Sequence, residues 1–200
     1  PNTSSAASDV YKRQDMDSVI DYSDVGVLIN NESEISRTIG WAFVTARNIS
    51  AERVFIFDNT STPTGETINR NQFTTYFEEP FRAMLSNYNG TDLNYLVTTK
   101  GIPLRINGGN NKASFDQELS LIGGSYDSFI EQDWWIDHDY GPLAGKQMKE
   151  FTRDEYGFFL VTRLTGYTLD TALDLIEKAN DSYGALSLIH ISEPTRQIRI

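Results

Sequence analysis

The chain has 200 residues, 39% hydrophobic and 12% aromatic, a composition typical of one globular domain with a hydrophobic core. The absence of cysteine excludes disulfides, thiolate metal sites and a cysteine nucleophile within these residues. No apolar run approaches the roughly 18 residues that a membrane-spanning helix needs, and a net charge of -11 disfavours nucleic acid and favours cationic partners.

The two ends of the chain do not continue the pattern of its middle. Residues 1–14 and 187–200 show no helical or strand periodicity that connects to their neighbours. Both resemble translated sequencing-adapter sequence, with VYKRQ and SLIHISEPTR as the recognisable strings. We therefore expect residues 15–186 to form a single α/β domain that is a fragment of a longer protein. A natural disordered tail and a natural C-terminal strand are the alternative.

Residues 24–30 (DVGVLIN) form the first apolar run of this domain and predict a buried strand. Apolar residues then recur at helical spacing as far as Ala46, with Ser33 as the candidate N-cap. Asn48 suits the left-handed residue that often ends a helix. Residues 53–58 (RVFIFD) predict the second strand, so the domain begins with a strand, a helix and a strand.

A second helix is predicted after the polar loop at residues 59–65. Asn69 is its candidate cap, because Gln72 stands three residues further on, as in a capping box. Pro80 lies inside the helical pattern, so it either kinks the helix or opens a new one. The helical spacing of Phe73, Phe77 and Phe81 places these rings in the core and excludes a stacking platform for bases. Leu85 and Tyr88 continue the apolar positions of this helix.

The second half of the domain continues the alternation. Residues 94–99 (NYLVTT) predict the third strand, and residues 100–111 predict a long excursion. A short helix is expected within residues 114–122. Residues 157–162 (GFFLVT) predict the fourth strand, and Thr168 is the candidate cap of a last helix.

Four apolar strands that alternate with helices predict an α/β fold with a parallel sheet and helices on both faces. Right-handed crossovers make 2-1-3-4 the most economical strand order. Such sheets bind ligands outside the carboxyl ends of their strands, where the strand order reverses. The ligand-binding residues expected there are Asn30, Asn31, Ser33, Thr98, Thr99 and Lys100.

Basic residues are also expected near this edge. Lys100 follows the third strand, Arg163 follows the fourth, and Arg105 emerges from the excursion. Together they suit a ligand carboxylate, which a guanidinium holds in a planar, bidentate way. The alternative is pairing with the chain's own acids, such as Lys100 with Asp116 or Glu118. We expect four side chains to converge at this end of the sheet, with the acid within about 4–6 Å of a cation. They are Thr98, Lys100, Asp116 and Arg163.

Asp116 and Glu118 are also candidate ligands for Ca²⁺ or another hard cation. In an extended segment the two carboxylates would share one side, and nearby carbonyls would complete the oxygen ligands that such an ion prefers. In a helix they would point apart. Asp116 would then help to cap a helix, within the Ser114-x-x-Gln117 spacing of a capping box. No other cofactor is predicted.

Residues 126–140 (YDSFIEQDWWIDHDY) have no clean period and are interpreted as a loop insertion. A solvated acidic loop anchored by two tryptophans is the simplest interpretation of this stretch. A Ser-His-Asp site within residues 15–186 would have to use the histidine of this loop. The cluster comprises Asp133, Trp134, Trp135, Asp137, His138 and Asp139.

Three separated motifs resemble one uncharacterised prokaryotic family whose members occur in species with exosortase protein-sorting systems. They are residues 95–106 (YLVTTKGIPLRI), 113–119 (ASFDQEL) and 160–166 (LVTRLTG), and they stand in the family's order. The similarity spans most of residues 15–186 and departs from the family pattern at residues 126–156. The family has no activity to transfer, and the resemblance implies an exported protein, periplasmic or extracellular.

A more distant resemblance is to the N-terminal part of the gingipain-like cysteine peptidases, matched in pattern at residues 114–116 (SFD) and 161–163 (VTR). It implies a truncated flavodoxin-like or caspase-like sheet. It also implies the N-terminal part of a peptidase-like or transpeptidase-like hydrolase with a peptide or protein substrate, whose nucleophile lies downstream of this fragment. The alternative is a noncatalytic accessory module of a protein export or sorting system that binds a peptide or a carboxylate.

Overall fold

A four-stranded parallel sheet lies at the centre of the computed structural model. The structure describes residues 22–90, 92–108, 111–130 and 151–185. The strands of the central sheet are β1 (Val25–Asn30), β2 (Val54–Phe57), β4 (Tyr95–Thr99) and β7 (Leu160–Leu164). Their order is β2-β1-β4-β7 and every pair is parallel. The predicted α/β class and the strand order 2-1-3-4 are therefore confirmed.

The predicted excursion contributes to a second, three-stranded sheet that the sequence did not predict, and one strand of this sheet comes from residues 67–69, outside the excursion. Its strands are β3 (Thr67–Asn69), β5 (Arg105–Gly108) and β6 (Asn111–Ser114). β3 pairs parallel with β5, and β5 pairs antiparallel with β6. Ile68 and Ile106 are both buried, but each stands alone among polar residues. A single apolar residue in so short a strand produces no detectable alternation.

Helices cover both faces of the central sheet. α1 and α6 pack against each other on one face, and the segments from α2 to α4 share the core of the other face. The helices are α1 (Glu34–Ala46), α2 (Arg70–Phe73), α3 (Glu79–Asn87), α4 (Phe115–Leu121), α5 (Arg153–Tyr156) and α6 (Leu169–Ala185). Short 3₁₀ turns lie at Ala51–Arg53 and Asp127–Phe129.

The predicted helix ends are confirmed by their hydrogen bonds. Ser33 caps α1 by accepting from the Ser36 N–H, and Asn48 has a positive φ of 50° after this helix. Asn69 and Gln72 form a complete capping box at the start of α2. At the start of α6, the Thr168 hydroxyl accepts from a backbone N–H at 3.2 Å. Local side-chain chemistry therefore sets these boundaries.

Pro80 is the second residue of α3, directly after a π-helical turn at Thr74–Glu78 that joins α2 to α3. Proline has no N–H to donate to the carbonyl four residues earlier, and its ring crowds that carbonyl. A wider π turn relieves this crowding without ending the helical run. The helical run therefore continues through Pro80, which does not open a separate helix as its first residue.

The fourth strand begins later than predicted. Residues 157–162 were expected to form it, but β7 starts at Leu160. The Phe159 N–H instead donates to the Ser120 carbonyl in α4, at 2.9 Å. The backbone before β7 therefore bonds to α4 and not to a neighbouring strand. For this reason the strand starts after the phenylalanines of the predicted apolar run.

Edge-to-face aromatic contacts fill the core on the α3 side of the sheet. The ring of Phe77 lies 4.9 Å from that of Phe57 on β2 and 5.0 Å from that of Phe115 on α4. Phe73 and Phe81 are fully buried on the same side. The predicted core role of the helical phenylalanines is therefore confirmed, and the ring of Phe77 packs between β2 and α4.

Some sequence predictions lie outside the described residues. They concern residues 1–14, residues 187–200 and the acidic cluster at residues 133–139. Among the described residues, no helix combines the length and apolar composition that crossing a membrane requires.

Replacing Phe77 by alanine tests the central packing. We expect Phe77→Ala to lower the free energy of unfolding by about 3–5 kcal/mol, because it leaves a cavity between the rings of Phe57 and Phe115. Urea denaturation measures this change. Leu175→Ala is the control, since Leu175 is 53% exposed on α6, and we expect it to shift stability by no more than about 0.5 kcal/mol. Equal effects from the two substitutions would contradict this account of the core.

Candidate functional site

Asn30 ends β1 at the carboxyl edge of the central sheet and is fully buried. Its side-chain amide donates to the carbonyls of Pro63 and Gly101, both at 3.0 Å. Its side-chain carbonyl accepts from the Glu32 N–H at 3.1 Å. The Asn30 side chain therefore fastens three loops together at the point where the strand order reverses.

Two buried hydroxyls extend the hydrogen-bond network of Asn30. The hydroxyls of Ser36 on α1 and Thr99 on β4 are 2.6 Å apart, and the Asn30 N–H donates to Ser36 Oγ at 2.8 Å. Gly101 has a φ of 98°, and a Cβ there would lie 2.1 Å from Ser33 Oγ. Three predicted ligand residues, Asn30, Ser33 and Thr99, thus bond to the protein itself. Ser36 was missed, although it shares the buried face of its helix.

Arg163 on β7 makes a saturated set of hydrogen bonds. Its guanidinium donates two hydrogen bonds to the Asp116 carboxylate, from Nε to Oδ2 at 2.8 Å and from Nη2 to Oδ1 at 2.5 Å. Nη1 donates to the carbonyls of Ile102 at 2.8 Å and Thr99 at 3.3 Å. Nη2 also donates to the Pro103 carbonyl at 2.9 Å. All five N–H groups are used, so the carboxylate that Arg163 holds is the chain's own.

Thr98 and Lys100 lie beside this ion pair. Thr98 Oγ1 is 3.2 Å from Asp116 Oδ1. Lys100 Nζ instead donates to the carbonyls of Gly166 at 2.7 Å and Tyr167 at 2.8 Å. The expected closeness of Asp116 to a cation is confirmed, with Arg163 as that cation. The alternative that paired Lys100 with Asp116 or Glu118 is wrong, because the loop after β7 brings carbonyls to its ammonium.

Asp116 and Glu118 face different partners. Both belong to α4, whose start is capped by Ser114, so two residues of separation turn their side chains apart. Glu118 is buried and accepts from Arg70 Nη2 at 3.2 Å. The helix therefore separates the two carboxylates that the Ca²⁺ prediction placed on one side. Within the described ranges, no group of three or more His, Cys, Asp or Glu residues is placed to hold a metal ion.

Arg105 does not join Lys100 and Arg163. It lies on β5 of the second sheet with its side chain 59% exposed, and its Nη2 is 3.9 Å from Glu66 Oε2. For Arg105 the structure thus shows the alternative to ligand binding, which is a contact with an acid of the chain itself.

A cleft of about 460 Å³ opens at the carboxyl edge, and we call it the carboxyl-edge cleft. It lies between residues 100–104, residues 165–167 and Glu66, with Arg163 in its wall. Tyr167 is 99% exposed beside it. The cleft lies at the carboxyl ends of β4 and β7, one strand away from the point between β1 and β4 where the strand order reverses and where a ligand was predicted.

The charge in this cleft comes from Lys100. Asp116 neutralises Arg163, and Glu66 faces Arg105. Lys100 donates only to carbonyls, and no carboxylate of the described residues lies within ion-pair distance of its ammonium. The ammonium of Lys100 therefore lines this cleft without an acidic partner among the described residues.

A separate ionic network lies at the amino edge of the sheet. Arg53 donates to the Tyr88 hydroxyl and to Asp92, each at 3.2 Å, and the Tyr88 hydroxyl donates to Asp92 at 3.0 Å. Burial acts to raise the pKa of Asp92. Hydrogen bonds from Tyr88, from its own backbone and from Arg53 outweigh burial and lower this pKa below its ordinary value of 3.8. The network joins the loop before β2 to the loop before β4.

Comparisons of the chain with family models, with curated proteins and with solved structures found no match. The exosortase-associated and gingipain-like resemblances therefore stay predictions.

The lowered pKa of Asp92 predicts a pH dependence. Its ionised form stabilises the fold above its unfolded pKa, and this contribution is lost as the pH falls through the lower folded pKa. We therefore expect Asp92→Asn to lower the Tm at neutral pH, with a difference from the wild type that shrinks below the ordinary value of 3.8. Thermal unfolding followed across this pH range measures it. A difference that persists unchanged in acid would contradict the role given to this carboxylate.

The Asp116–Arg163 pair gives a second expectation. Asp116→Asn keeps the shape of the side chain but leaves the guanidinium without its counter-charge. We expect the free energy of unfolding to fall by about 1–3 kcal/mol, as for a buried group that loses its partner. Urea denaturation measures this effect. Glu66→Gln is the control, because it removes an exposed partner of Arg105 and should lower the free energy of unfolding by less than about 1 kcal/mol. An equal loss of stability in both variants would contradict the structural role given to the Asp116–Arg163 pair.

Proposed function

We propose that this chain binds a peptide through a carboxylate group in the carboxyl-edge cleft, as a noncatalytic accessory module of a protein export or sorting system. The observation that carries the proposal is the Lys100 ammonium, which lines the cleft and has no acidic partner among the described residues. Its location outside the cytoplasm follows from the exosortase-associated resemblance and belongs to the proposal.

The hydrogen bonds of Lys100 suit a carboxylate ligand. An ammonium has three N–H donors, and the carbonyls of Gly166 and Tyr167 take two of them. The third donor can make a charge-assisted hydrogen bond, which is about twice as strong as a neutral one. Because the two carbonyls hold the ammonium in place, a ligand need not immobilise a flexible lysine side chain when it binds.

The surroundings of Lys100 support a peptide as the ligand. The cleft volume of about 460 Å³ lies within the range of ordinary ligand pockets. The exposed Tyr167 ring beside it offers apolar contact area with a polar tip. The saturated Arg163–Asp116 pair keeps one wall rigid, so that the site is formed before the ligand arrives.

A second candidate function is the substrate-binding part of a peptidase-like or transpeptidase-like hydrolase, with the nucleophile downstream of this fragment. The parallel sheet with strand order β2-β1-β4-β7 favours this candidate, because the gingipain-like resemblance implies the same succession of strands and helices. Peptide cleavage by the longer gene product, abolished when a downstream His or Cys is replaced, would favour the hydrolase over the accessory module.

Fluorescence anisotropy with labelled random hexapeptides tests carboxylate binding. The full chain should bind peptides with a free C-terminus, and Lys100→Met should weaken this binding about tenfold or more, in keeping with the loss of one charge-assisted hydrogen bond. Blocking the peptide C-terminus as an amide should have a similar effect on the wild type.

Lys178→Met is the matched control, since Lys178 is exposed on α6, and it should bind like the wild type. Retained folding of both variants is checked by circular dichroism. Equal affinity for free and amidated peptides, or an unchanged affinity of Lys100→Met, would overturn the proposal.

A further inference from the structure

An asparagine followed by a glycine occurs twice in this chain, at Asn89–Gly90 and at Asn107–Gly108. In such a pair the backbone nitrogen of the glycine can attack the side-chain carbonyl carbon of the asparagine, because glycine has no Cβ to shield that nitrogen and leaves the backbone free to rotate. Whether the attack takes place in a folded protein depends on the structure around each pair, and here the two pairs differ.

The first pair, Asn89–Gly90, lies in the connection between α3 and β4, outside any helix or strand. Both residues are exposed. Among the described residues, neither the Asn89 side chain nor the Gly90 N–H has a hydrogen-bond partner. The two reacting groups are therefore accessible to each other and to water, without the loss of a hydrogen bond to the described part of the chain.

The second pair, Asn107–Gly108, lies in a paired strand. Asn107 is exposed like Asn89, but it belongs to β5, where it stands opposite Asn69 of β3 and Lys112 of β6. Attack by the Gly108 nitrogen requires rotation about ψ of Asn107, away from the strand value of about 135°. This rotation breaks the pairing of β5, so a reaction at Asn107 first requires local opening of the second sheet.

We propose that Asn89 is a site of spontaneous deamidation in the folded protein, whereas β5 protects Asn107. The Gly90 nitrogen forms a bond to Asn89 Cγ, and the bond from Cγ to the side-chain nitrogen breaks. The departing amino group takes the proton of the Gly90 N–H and leaves as ammonia. Water then opens the resulting cyclic imide at either carbonyl, which gives aspartate or isoaspartate. The net change is the uptake of a water molecule and the loss of ammonia.

The product carboxylate adds a negative charge to the amino edge of the sheet. Asn89 and Gly90 line a cavity of about 580 Å³ there, together with Arg53 and Asp92 of the ionic network described above. A neutral side chain of this cavity therefore becomes an acid. The carboxyl-edge cleft lies at the opposite end of the sheet, so this inference is independent of the proposed function.

Incubation of the full chain at mildly alkaline pH, followed by tryptic digestion and mass spectrometry, tests the proposal. Trypsin separates the two sites, since Asn89 lies in residues 83–100 and Asn107 in residues 106–112. Each site is compared in the native chain and in guanidinium chloride, which cancels the effect of different neighbouring residues. We expect Asn89 to deamidate at a similar rate in both states. Asn107 should react at least about tenfold more slowly in the native chain.

Asn89→Gln is the variant that removes the reactive site, because its longer side chain forms the imide far more slowly. It should abolish the acidic species that isoelectric focusing detects as the native protein ages, and the matched control Asn107→Gln should leave that species in place. Gly90 is kept, because a Cβ there would lie 2.5 Å from the Tyr88 side chain.

The rates are measured on the unaltered chain, so they decide the question even if a variant does not fold. The proposal is overturned if folding slows the reaction of Asn89 as strongly as that of Asn107, or if Asn107 reacts faster than Asn89 in the native chain.

Discussion

The ion pair between Asp116 and Arg163 is the contact on which the carboxyl edge of this protein depends. It joins α4 to β7, and through the other N–H groups of Arg163 it ties β7 to the backbone at Thr99, Ile102 and Pro103. These residues end β4 and lead into the second sheet. One guanidinium therefore couples the central sheet, a helix and the excursion, and it shapes one wall of the carboxyl-edge cleft.

The hydrogen bonds of Arg163 show that this residue has a structural role, because all of its N–H groups bond to protein oxygens. A guanidinium whose donors all meet protein oxygens has nothing left to offer a ligand. Lys100 differs, because its ammonium donates to two carbonyls and makes no ion pair with an acid of the described residues. Ligand binding is therefore inferred beside Lys100, where the fold places a cation without an acidic partner in the wall of a cleft.

The location of the candidate site was predictable, and the roles of its residues were not. Parallel strands end at the same edge of a sheet, so Thr98 and Lys100 had to lie near the end of β7. Whether a side chain there is free depends on partners distant in sequence. The Asn30 amide bonds to carbonyls 33 and 71 residues away, and no local pattern contains that information. The contact of Arg105 with Glu66 was not predicted for the same reason, since it joins residues 39 positions apart.

The sequence by itself determined the α/β class, the parallel strand order and the helix caps, because these follow from apolar runs, connection rules and neighbouring side chains. The tertiary structure alone decided the second sheet, where Ile68 and Ile106 are buried by pairing between β3 and β5. It also decided the hydroxyl pair of Ser36 and Thr99. The local spacing of apolar residues indicates which residues are buried. A hydrogen bond between residues far apart in the sequence forms only when tertiary packing brings the two groups together, so no local pattern predicts it.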